Sequence, residues 1–182
     1  MNIVIINHYA GGTSFGMEFR PFYLAKEWIK LGHKVIIVAG SFAHLRSRQP
    51  EINAAVTHET IDGADYLWLR TNRYDGNGLG RIFSMLLFTI RLYLLKNKLE
   101  YFKPDLIIAS STYPMDSFPS RWLAKKFGAK FCFEVHDLWP LSPMEFGNYS
   151  KWHPFIMIVQ WAEDYAYKHA DFVVSLLPAA KS

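Results

Sequence analysis

The chain has 182 residues, of which 51% are hydrophobic and 20% charged, so it is long and apolar enough to bury a core, which excludes wholesale disorder. Its single cysteine, Cys132, excludes an intrachain disulfide framework and a CxxC metal or redox site, and the apolar run around it predicts a buried, inert thiol. The net charge of +4 is a local feature: segment 70–103 carries about +5 and the remainder about −1.

The first half of the chain alternates apolar runs with amphipathic stretches, which is the pattern of a parallel sheet covered by helices. The N terminus lacks the basic region and cleavage site of a signal peptide and is predicted to be a strand. Pro21 fits the first turn of a helix, Gly32 is expected to end that helix, and Asp62-Gly63 is a strong hairpin turn. The predicted elements are strands over 2–7, 35–39, 56–61 and 64–71 and a helix over 17–31.

The second half continues the same alternation. Helices are predicted over 79–102, 118–127 and 154–169, and strands over 105–109, 130–135 and 171–177. The order indicates one doubly wound α/β domain over residues 1–182. No closing helix follows the last predicted strand. We interpret this as a sign that a partner domain is absent from these 182 residues.

A glycine-rich loop follows the first strand and precedes the first helix. Glycine lets the backbone approach a phosphate, and a helix N terminus offers free N–H groups, so Gly11-Gly12 suits a phosphate-facing loop. The spacing is not that of G-x-G-x-x-G, and Ala39-Gly40 stands where a ribose-binding acid is expected, which argues against an NAD enzyme. On spacing alone, a tight turn is an equal alternative.

Two polar segments follow neighbouring predicted strands, at the edge where open α/β sheets bind ligands. In Glu134-Val-His136-Asp137-Leu-Trp-Pro140, the histidine suits proton transfer and the adjacent carboxylate suits a hydroxyl ligand; a loop histidine and a capping aspartate are the alternative. The hydroxyls and carboxylate of segment 110–116 suit a sugar or diphosphate, and a capped turn explains them almost as well. The histidines have no metal-binding spacing, so no metal is expected.

The long helix that begins near residue 79 is apolar almost all round but carries Arg81, Arg91 and Lys96. Three interpretations remain open: a helix buried in the core, a helix whose apolar residues enter an anionic bilayer surface, and a transmembrane span, for which it is short. Nucleic-acid binding is not expected, because aliphatic residues and not aromatic platforms separate the basic ones.

Several short motifs follow one another in a specific order: Gly11-Gly12 with Arg20, Leu24-Ala25, Gly32-His33-x-Val35, Lys103-Pro-Asp-Leu-Ile-Ile-Ala-Ser110, and the 134–140 segment. Together they resemble the N-terminal domain of retaining GT-B glycosyltransferases of family 4. The 134–140 segment is similar to that of bacterial transferases, those for N-acetyl-L-fucosamine among them, that build lipid-linked O-antigen or capsule polysaccharides. The resemblance covers almost the whole chain.

The resemblance implies a Rossmann-like, doubly wound, mostly parallel sheet that forms one half of a GT-B fold. This half would hold the acceptor, and a second domain would hold the sugar nucleotide. Retention of configuration is implied without a metal or other cofactor, because protein groups and helix dipoles stabilise the leaving diphosphate. The implied roles are catalysis for His136; donor-diphosphate binding for Gly11 and Gly12; acceptor binding for Arg20, Tyr113, Asp116 and Asp137; and membrane contact for Arg81, Phe88, Arg91, Lys96 and Lys98.

The expected partners are a nucleotide-sugar donor through the second domain, a lipid-linked acceptor and an anionic membrane surface, with no nucleic acid. The expected location is cytoplasmic, on the inner face of the plasma membrane. The family's E-x7-E signature belongs to the second domain, and we interpret Glu51 and Glu59 as a chance match. The 182 residues alone are therefore expected to be inactive. The alternatives are a non-enzymatic nucleotide- or partner-binding module and a GT-B sugar-nucleotide epimerase, against which the basic, apolar helix argues.

Overall fold

A seven-stranded sheet organises the computed structural model, which describes residues 1–76 and 78–176 except for the side chains of Pro143 and Phe146. The strand order is β3-β4-β2-β1-β5-β6-β7, with every neighbouring pair parallel except β3 and β4. The predicted doubly wound α/β fold is confirmed. The strands are β1 Asn2–Ile6, β2 Lys34–Gly40, β3 Val56–Ile61, β4 Ala64–Leu69, β5 Leu106–Ala109, β6 Lys130–Val135 and β7 Phe172–Ser175.

Helices cover both faces of the sheet. They are α1 Arg20–Lys30, α2 Leu79–Arg91, α3 Leu95–Leu99, α4 Ser117–Phe127, α5 Leu141–Gly147 and α6 Pro154–His169, with 3₁₀ turns at Leu92–Leu94 and Pro114–Asp116. The single helix predicted over 79–102 is wrong in detail, because the turn at 92–94 divides it into α2 and α3. Helix α5 was not predicted, since seven residues are too few to show an apolar period. Of the last predicted strand, residue 177 lies outside the described residues.

The predicted hairpin turn and the predicted glycine helix end are confirmed. Asp62 and Gly63 both have positive φ, 48° and 85°, as a type I′ hairpin turn requires, and they join β3 to β4. Gly128 ends α4 with φ 68°. The cysteine is buried as predicted: Cys132 lies in the core beneath α1, where burial raises the pKa of its thiol to about 11.

The sheet separates two apolar cores. Along β1, Val4 and Ile6 pack toward α2, α3 and α4, whereas Ile3 and Ile5 pack toward α1, because successive strand side chains point to opposite faces. The chain runs outward from β1 through β2 to the hairpin and then returns to β5 on the other side of β1. The strand order therefore reverses at β1 and β5, and their carboxyl ends border the crevice in which open α/β sheets bind ligands.

Candidate functional site

The carboxyl ends of β1, β5 and β6 bring together the polar residues that follow these strands. Asn7, directly after β1, donates from Nδ2 to the Ser110 carbonyl at 2.5 Å, and the amide of His8 donates to Ser111 Oγ at 3.0 Å. These bonds join the first loop to the loop after β5. Glu134 and His136 come from the end of β6, on the other side of β5.

Glu134 is the centre of the network. Its Oε1 accepts from Arg20 Nε at 2.8 Å and Nη2 at 2.6 Å, and its Oε2 accepts from Ser110 Oγ at 2.6 Å. Burial alone would raise the pKa of this carboxyl, but hydrogen bonds from His136, Ser110 and Arg20 outweigh burial and lower it to about 2. Glu134 is therefore ionised at neutral pH.

His136 lies at the crevice, as its strand-end position predicts. Its Nε2 is 3.1 Å from Ser110 Oγ and 3.2 Å from Glu134 Oε2, and 10% of its side chain is exposed. The neighbouring Asp137 is exposed. Its predicted contact with an acceptor stays a prediction, as does the catalytic role of His136.

Arg20 begins α1 and forms an ion pair with Glu134 across 114 residues of sequence. A third of its side chain is exposed. The guanidinium thus neutralises a buried carboxylate, a role that the sequence analysis did not assign to it. Only the exposed part of Arg20 can contact an acceptor, and this contact stays a prediction.

The paired glycines fold the first loop onto itself. The Gly11 amide donates to the Glu18 carbonyl at 2.8 Å and the Gly12 amide to the Gly16 carbonyl at 2.9 Å. A Cβ on Gly11 would lie 2.0 Å from the Gly16 carbonyl oxygen, so this close backbone approach requires glycine. Because both amides are already bonded, the structure does not support their predicted contact with a donor diphosphate; it favours the tight turn.

A buried aromatic stack lies beneath the crevice. The His8 ring is sandwiched between Tyr9, at 4.5 Å between centroids, and Phe88, at 4.4 Å, and its Nδ1 is 2.8 Å from the Tyr113 hydroxyl. Burial, followed by the charges of Arg46 and Arg81, lowers the pKa of His8 well below its usual value, so the ring is neutral. The prediction that Phe88 faces a membrane is wrong, because this ring belongs to the interior.

Arg46 is a buried cation that sequence reasoning missed. It donates to the carbonyls of Ala10 at 2.9 Å and Gly40 at 2.8 Å, and it lies over the Trp68 ring. Burial lowers its pKa to about 9, so it remains charged at neutral pH. Its role is to hold the first loop against the end of β2. No local signal distinguishes it from the exposed Arg48 nearby.

A cleft of about 550 Å³ opens between α2, the loop after β5 and segment 139–155. The network residues Ser110 and His136 do not line it, but Thr112 and Trp139, which follow them closely in the chain, do. The indole of Trp139 donates to the Thr112 carbonyl and joins two of these walls. Tyr113 is buried but lines the cleft, and its predicted contact with an acceptor stays a prediction. Among the lining residues are Arg81, Met85, Tyr113, Trp139, His153 and Phe155.

Asp116 lies below the cleft and not in its wall. Only 1% of the residue is exposed, and neither carboxylate oxygen has a hydrogen bond of good geometry. Burial raises its pKa to about 7, although the nearby Ser111 and His136 oppose the rise. Direct contact between Asp116 and an acceptor, as predicted, would require this loop to move.

Helix α2 presents two apolar stripes to different surroundings. Phe88, together with Leu92, Leu95 and Leu99 beyond the helix, is buried, whereas Leu79, Phe83, Leu86 and Ile90 are exposed. Arg81 and Arg91 are half-buried, and Lys96 and Lys98 are exposed. The interpretation of a helix buried in the core is correct for the first stripe, and entry of the exposed stripe into a bilayer surface stays a prediction.

Within residues 1–76 and 78–176, no helix is long and apolar enough to cross a membrane. The same part of the chain contains no group of three or more His, Cys, Asp or Glu side chains that could hold a metal ion.

The fold defines a Rossmann-like domain with a switch point between β1 and β5, the place at which open α/β sheets bind ligands. Residues 15–182 match the family model of the glycosyl transferase 4-like domain, and the chain belongs to this family. No curated protein matches the sequence.

Solved structures share the fold at low sequence identity. Sucrose-phosphate synthase from Thermosynechococcus elongatus is similar with a TM-score of 0.62 and 12% identity, over 94% of this chain and 41% of that one. The Bordetella bronchiseptica enzyme WbmG, in complex with NAD and UDP, has a TM-score of 0.49 and 17% identity, over 96% and 52%. Arabidopsis thaliana UGT89C1, complexed with UDP, has a TM-score of 0.48 and 14% identity, over 96% and 44%. The chain spans about half the length of these proteins, or less.

Proposed function

We propose that this chain is the acceptor-side half of a retaining glycosyltransferase, of the GT-B type, that transfers a hexosyl or N-acetylhexosaminyl group from a nucleotide-sugar to a lipid-linked precursor of a bacterial surface polysaccharide such as O-antigen or capsule. Membership of the glycosyl transferase 4-like family supports the class. The observation that carries the proposal is the Glu134 network at the carboxyl ends of β5 and β6, which holds His136 at the edge of the crevice. A second domain supplies the nucleotide site.

The network is arranged for binding and polarisation and not for a serine nucleophile. In a hydrolase triad the serine and the carboxylate bond to opposite ring nitrogens of the histidine. Here Ser110 and Glu134 both contact Nε2 of His136, and Ser110 donates to the carboxylate. His136 therefore has no serine to activate, and we assign it to a sugar group in the crevice.

We place the acceptor in the cleft between α2, the loop after β5 and segment 139–155. The aromatic rings of Trp139 and Phe155 can pack against a sugar ring or a prenyl chain. A few polar groups are enough to orient a ligand in such a cleft. Arg81 is the lining cation, and a guanidinium recognises a diphosphate through charge-assisted hydrogen bonds. The lipid diphosphate acceptor is the ligand that combines these two chemistries.

Helix α2 is the proposed contact with the membrane. Its exposed apolar stripe, Leu79, Phe83, Leu86 and Ile90, has the basic Arg91, Lys96 and Lys98 beside it. An interfacial helix enters the headgroup region with such an apolar stripe, and flanking cations attract anionic lipid. Because Leu79 and Ile82 also line the cleft, the acceptor would enter it from the membrane surface. We therefore propose that the protein acts at the cytoplasmic face of the plasma membrane, where anionic lipids would attract these basic residues.

Replacement of His136 in the full-length enzyme tests the site. We expect His136→Ala to lower kcat by about 100-fold or more, the usual range for loss of a group that assists proton or charge transfer. The assay is sugar transfer to a lipid-linked acceptor in anionic vesicles. His58→Ala, on the exposed edge strand, is the control and should be unaffected. Unchanged turnover in His136→Ala would remove His136 from the active site.

A further inference from the structure

We propose that Glu134 is a positioning residue: it holds His136 in the tautomer protonated at Nε2, which leaves Nδ1 as a hydrogen-bond acceptor for a hydroxyl of the bound sugar. The identity of the ligand rests on the proposed function. The tautomer does not, because it follows from the contacts of Glu134, Ser110 and Arg20 alone.

Glu134 is negatively charged in the folded protein. Hydrogen bonds from His136, Ser110 and Arg20 prevail over burial and keep its pKa at about 2, so the carboxylate carries no proton at neutral pH. An ionised carboxylate only accepts hydrogen bonds. Every polar neighbour of Glu134 must therefore present a hydrogen to it.

The contacts around Glu134 Oε2 determine which atom of His136 carries a hydrogen. Ser110 has one hydroxyl hydrogen, and at 2.6 Å from Oε2 that hydrogen points to Glu134. Toward His136 Nε2, at 3.1 Å, the serine then offers only a lone pair. Nε2 faces two acceptors, Ser110 Oγ and Glu134 Oε2, and both contacts are favourable only if Nε2 carries the hydrogen. The hydrogen bond at one ring nitrogen sets the state of the other.

The other ring nitrogen of His136, Nδ1, is available to a ligand. Nothing in the described part of the chain hydrogen-bonds to Nδ1 of His136. In a neutral ring protonated at Nε2, Nδ1 is an acceptor, so its partner must be a donor. A sugar hydroxyl meets this requirement and a fully ionised phosphate oxygen does not. The neutral ring is thus assigned to a hydroxyl and not to the diphosphate.

Arg20 makes the inference testable by a conservative change. A guanidinium only donates, so in Glu134→Gln the amide oxygen must remain at the Oε1 position beside Arg20 Nε and Nη2. The amide NH₂ then occupies the Oε2 position and donates toward Ser110 and His136. Nε2 becomes an acceptor in this variant, and the ring changes to the tautomer protonated at Nδ1.

The experiment is long-range ¹H–¹⁵N NMR of the 182-residue chain with ¹⁵N-labelled histidine, at a pH at which the His136 ring is neutral. The His136 signals are assigned by their loss in His136→Gln. We expect the Nε2–H pattern in the wild type, the Nδ1–H pattern in Glu134→Gln, and no change in Glu27→Gln, an exposed glutamate on α1. A wild-type ring protonated at Nδ1, or a folded Glu134→Gln variant that keeps Nε2–H, would overturn the proposal.

A second variant keeps the test valid if Glu134→Gln does not fold. Ser110→Ala removes the hydroxyl but leaves the carboxylate in contact with Nε2, so His136 should stay protonated at Nε2. A change of tautomer in Ser110→Ala would assign the positioning role to the serine and overturn the role of Glu134.

Turnover separates this inference from the proposed function. In the full-length enzyme we expect Glu134→Gln to lower kcat/KM for the nucleotide-sugar by about 100-fold or more, because a ring protonated at Nδ1 no longer accepts the hydrogen bond from the sugar hydroxyl and is in the wrong tautomer for catalysis. If the tautomer changes and turnover does not, the positioning of the ring by Glu134 stands and the assignment of His136 to the reacting sugar fails.

Discussion

At the scale of single residues, two carboxyl groups near the crevice have opposite electrostatic surroundings. Glu134 is hydrogen-bonded to three residues and its pKa is lowered to about 2, whereas burial raises the pKa of Asp116 to about 7. Pairs of acids driven apart in this way are common where proteins assign different roles to similar side chains. Glu134 keeps its charge to hold Arg20 and His136, whereas Asp116 is only about half ionised near pH 7.

The raised pKa of Asp116 predicts a pH-dependent cost in stability. Because the folded pKa is above the unfolded value of 3.8, the unfolded chain loses this proton first, and the free energy of unfolding falls between about pH 4 and pH 7. The cost is absent below this window and complete above it, up to about 4 kcal/mol for a shift of this size.

Asp116→Asn should therefore be more stable than the wild type at pH 8, with the advantage lost near pH 4. Urea unfolding at both pH values measures the difference. Asp137→Asn, a change of the same type at an exposed position, is the control and should show no such trend. An advantage of Asp116→Asn that is equal at both pH values would contradict burial as the cause.

At the scale of elements, α2 is the helix whose two apolar stripes have different surroundings. The buried stripe continues from Phe88 into α3 and packs on the sheet, and the exposed stripe has no cover among the described residues. The helix itself is apolar on both sides, so its own pattern does not reveal which stripe faces the sheet. For this reason the sequence pattern did not separate Phe88, which was predicted to face the membrane, from Phe83, which is exposed.

Replacement of the exposed stripe tests the membrane contact. Phe83→Ser, Leu86→Ser and Ile90→Ser together should reduce binding to anionic vesicles by tenfold or more and leave the fold intact, because about 0.8 kcal/mol is lost for each CH₂ that no longer enters the lipid. Vesicle flotation measures binding, and added salt should weaken that of the wild type.

A matched control removes exposed apolar residues elsewhere. Phe19, Tyr23 and Leu31, in and beside α1, are also exposed, and their replacement by serine should leave vesicle binding unchanged. Equal losses in both variants, or no binding by the wild type, would exclude α2 as a specific membrane contact.

At the scale of the whole molecule, the proposed function makes the crevice one half of an active site. The network of Glu134, His136 and Ser110 lies at the sheet edge, and the amides of Gly11 and Gly12, the predicted phosphate donors, are bonded within their own loop. A diphosphate thus lacks its expected partners on this side. In the proposed enzyme, the second domain supplies the nucleotide site.

The purified 182-residue chain should therefore transfer no sugar from any nucleotide-sugar and should bind nucleotides weakly or not at all. A radiolabelled transfer assay and calorimetry measure the two, with the full-length protein as positive control. Sugar transfer by the chain alone would contradict the proposed half of an active site. Tight nucleotide binding would favour the alternative of a nucleotide-binding module.

The sequence by itself determined the local elements and their order. Strand β6 and helix α6 begin and end where the apolar pattern predicts, and the turn at Asp62-Gly63 follows from residue types that tolerate positive φ. His136 was found because a histidine after a buried strand lies at the ligand-binding edge of such a sheet. These features depend on neighbours a few residues away.

Only the tertiary structure decided which side chains meet. Arg20 bonds to Glu134 across 114 residues, and the His8 ring stacks on Phe88 from a distant helix. The sheet order brings these residues together, and no local pattern encodes such a pairing. The hydrogen bonds of the Gly11 and Gly12 amides likewise depend on the folded conformation of the loop and are not evident from the sequence. The motif thus predicted the position of His136 at the sheet edge, and the tertiary contacts added the ion pair of Arg20, the loop hydrogen bonds of Gly11 and Gly12 and the burial of Phe88.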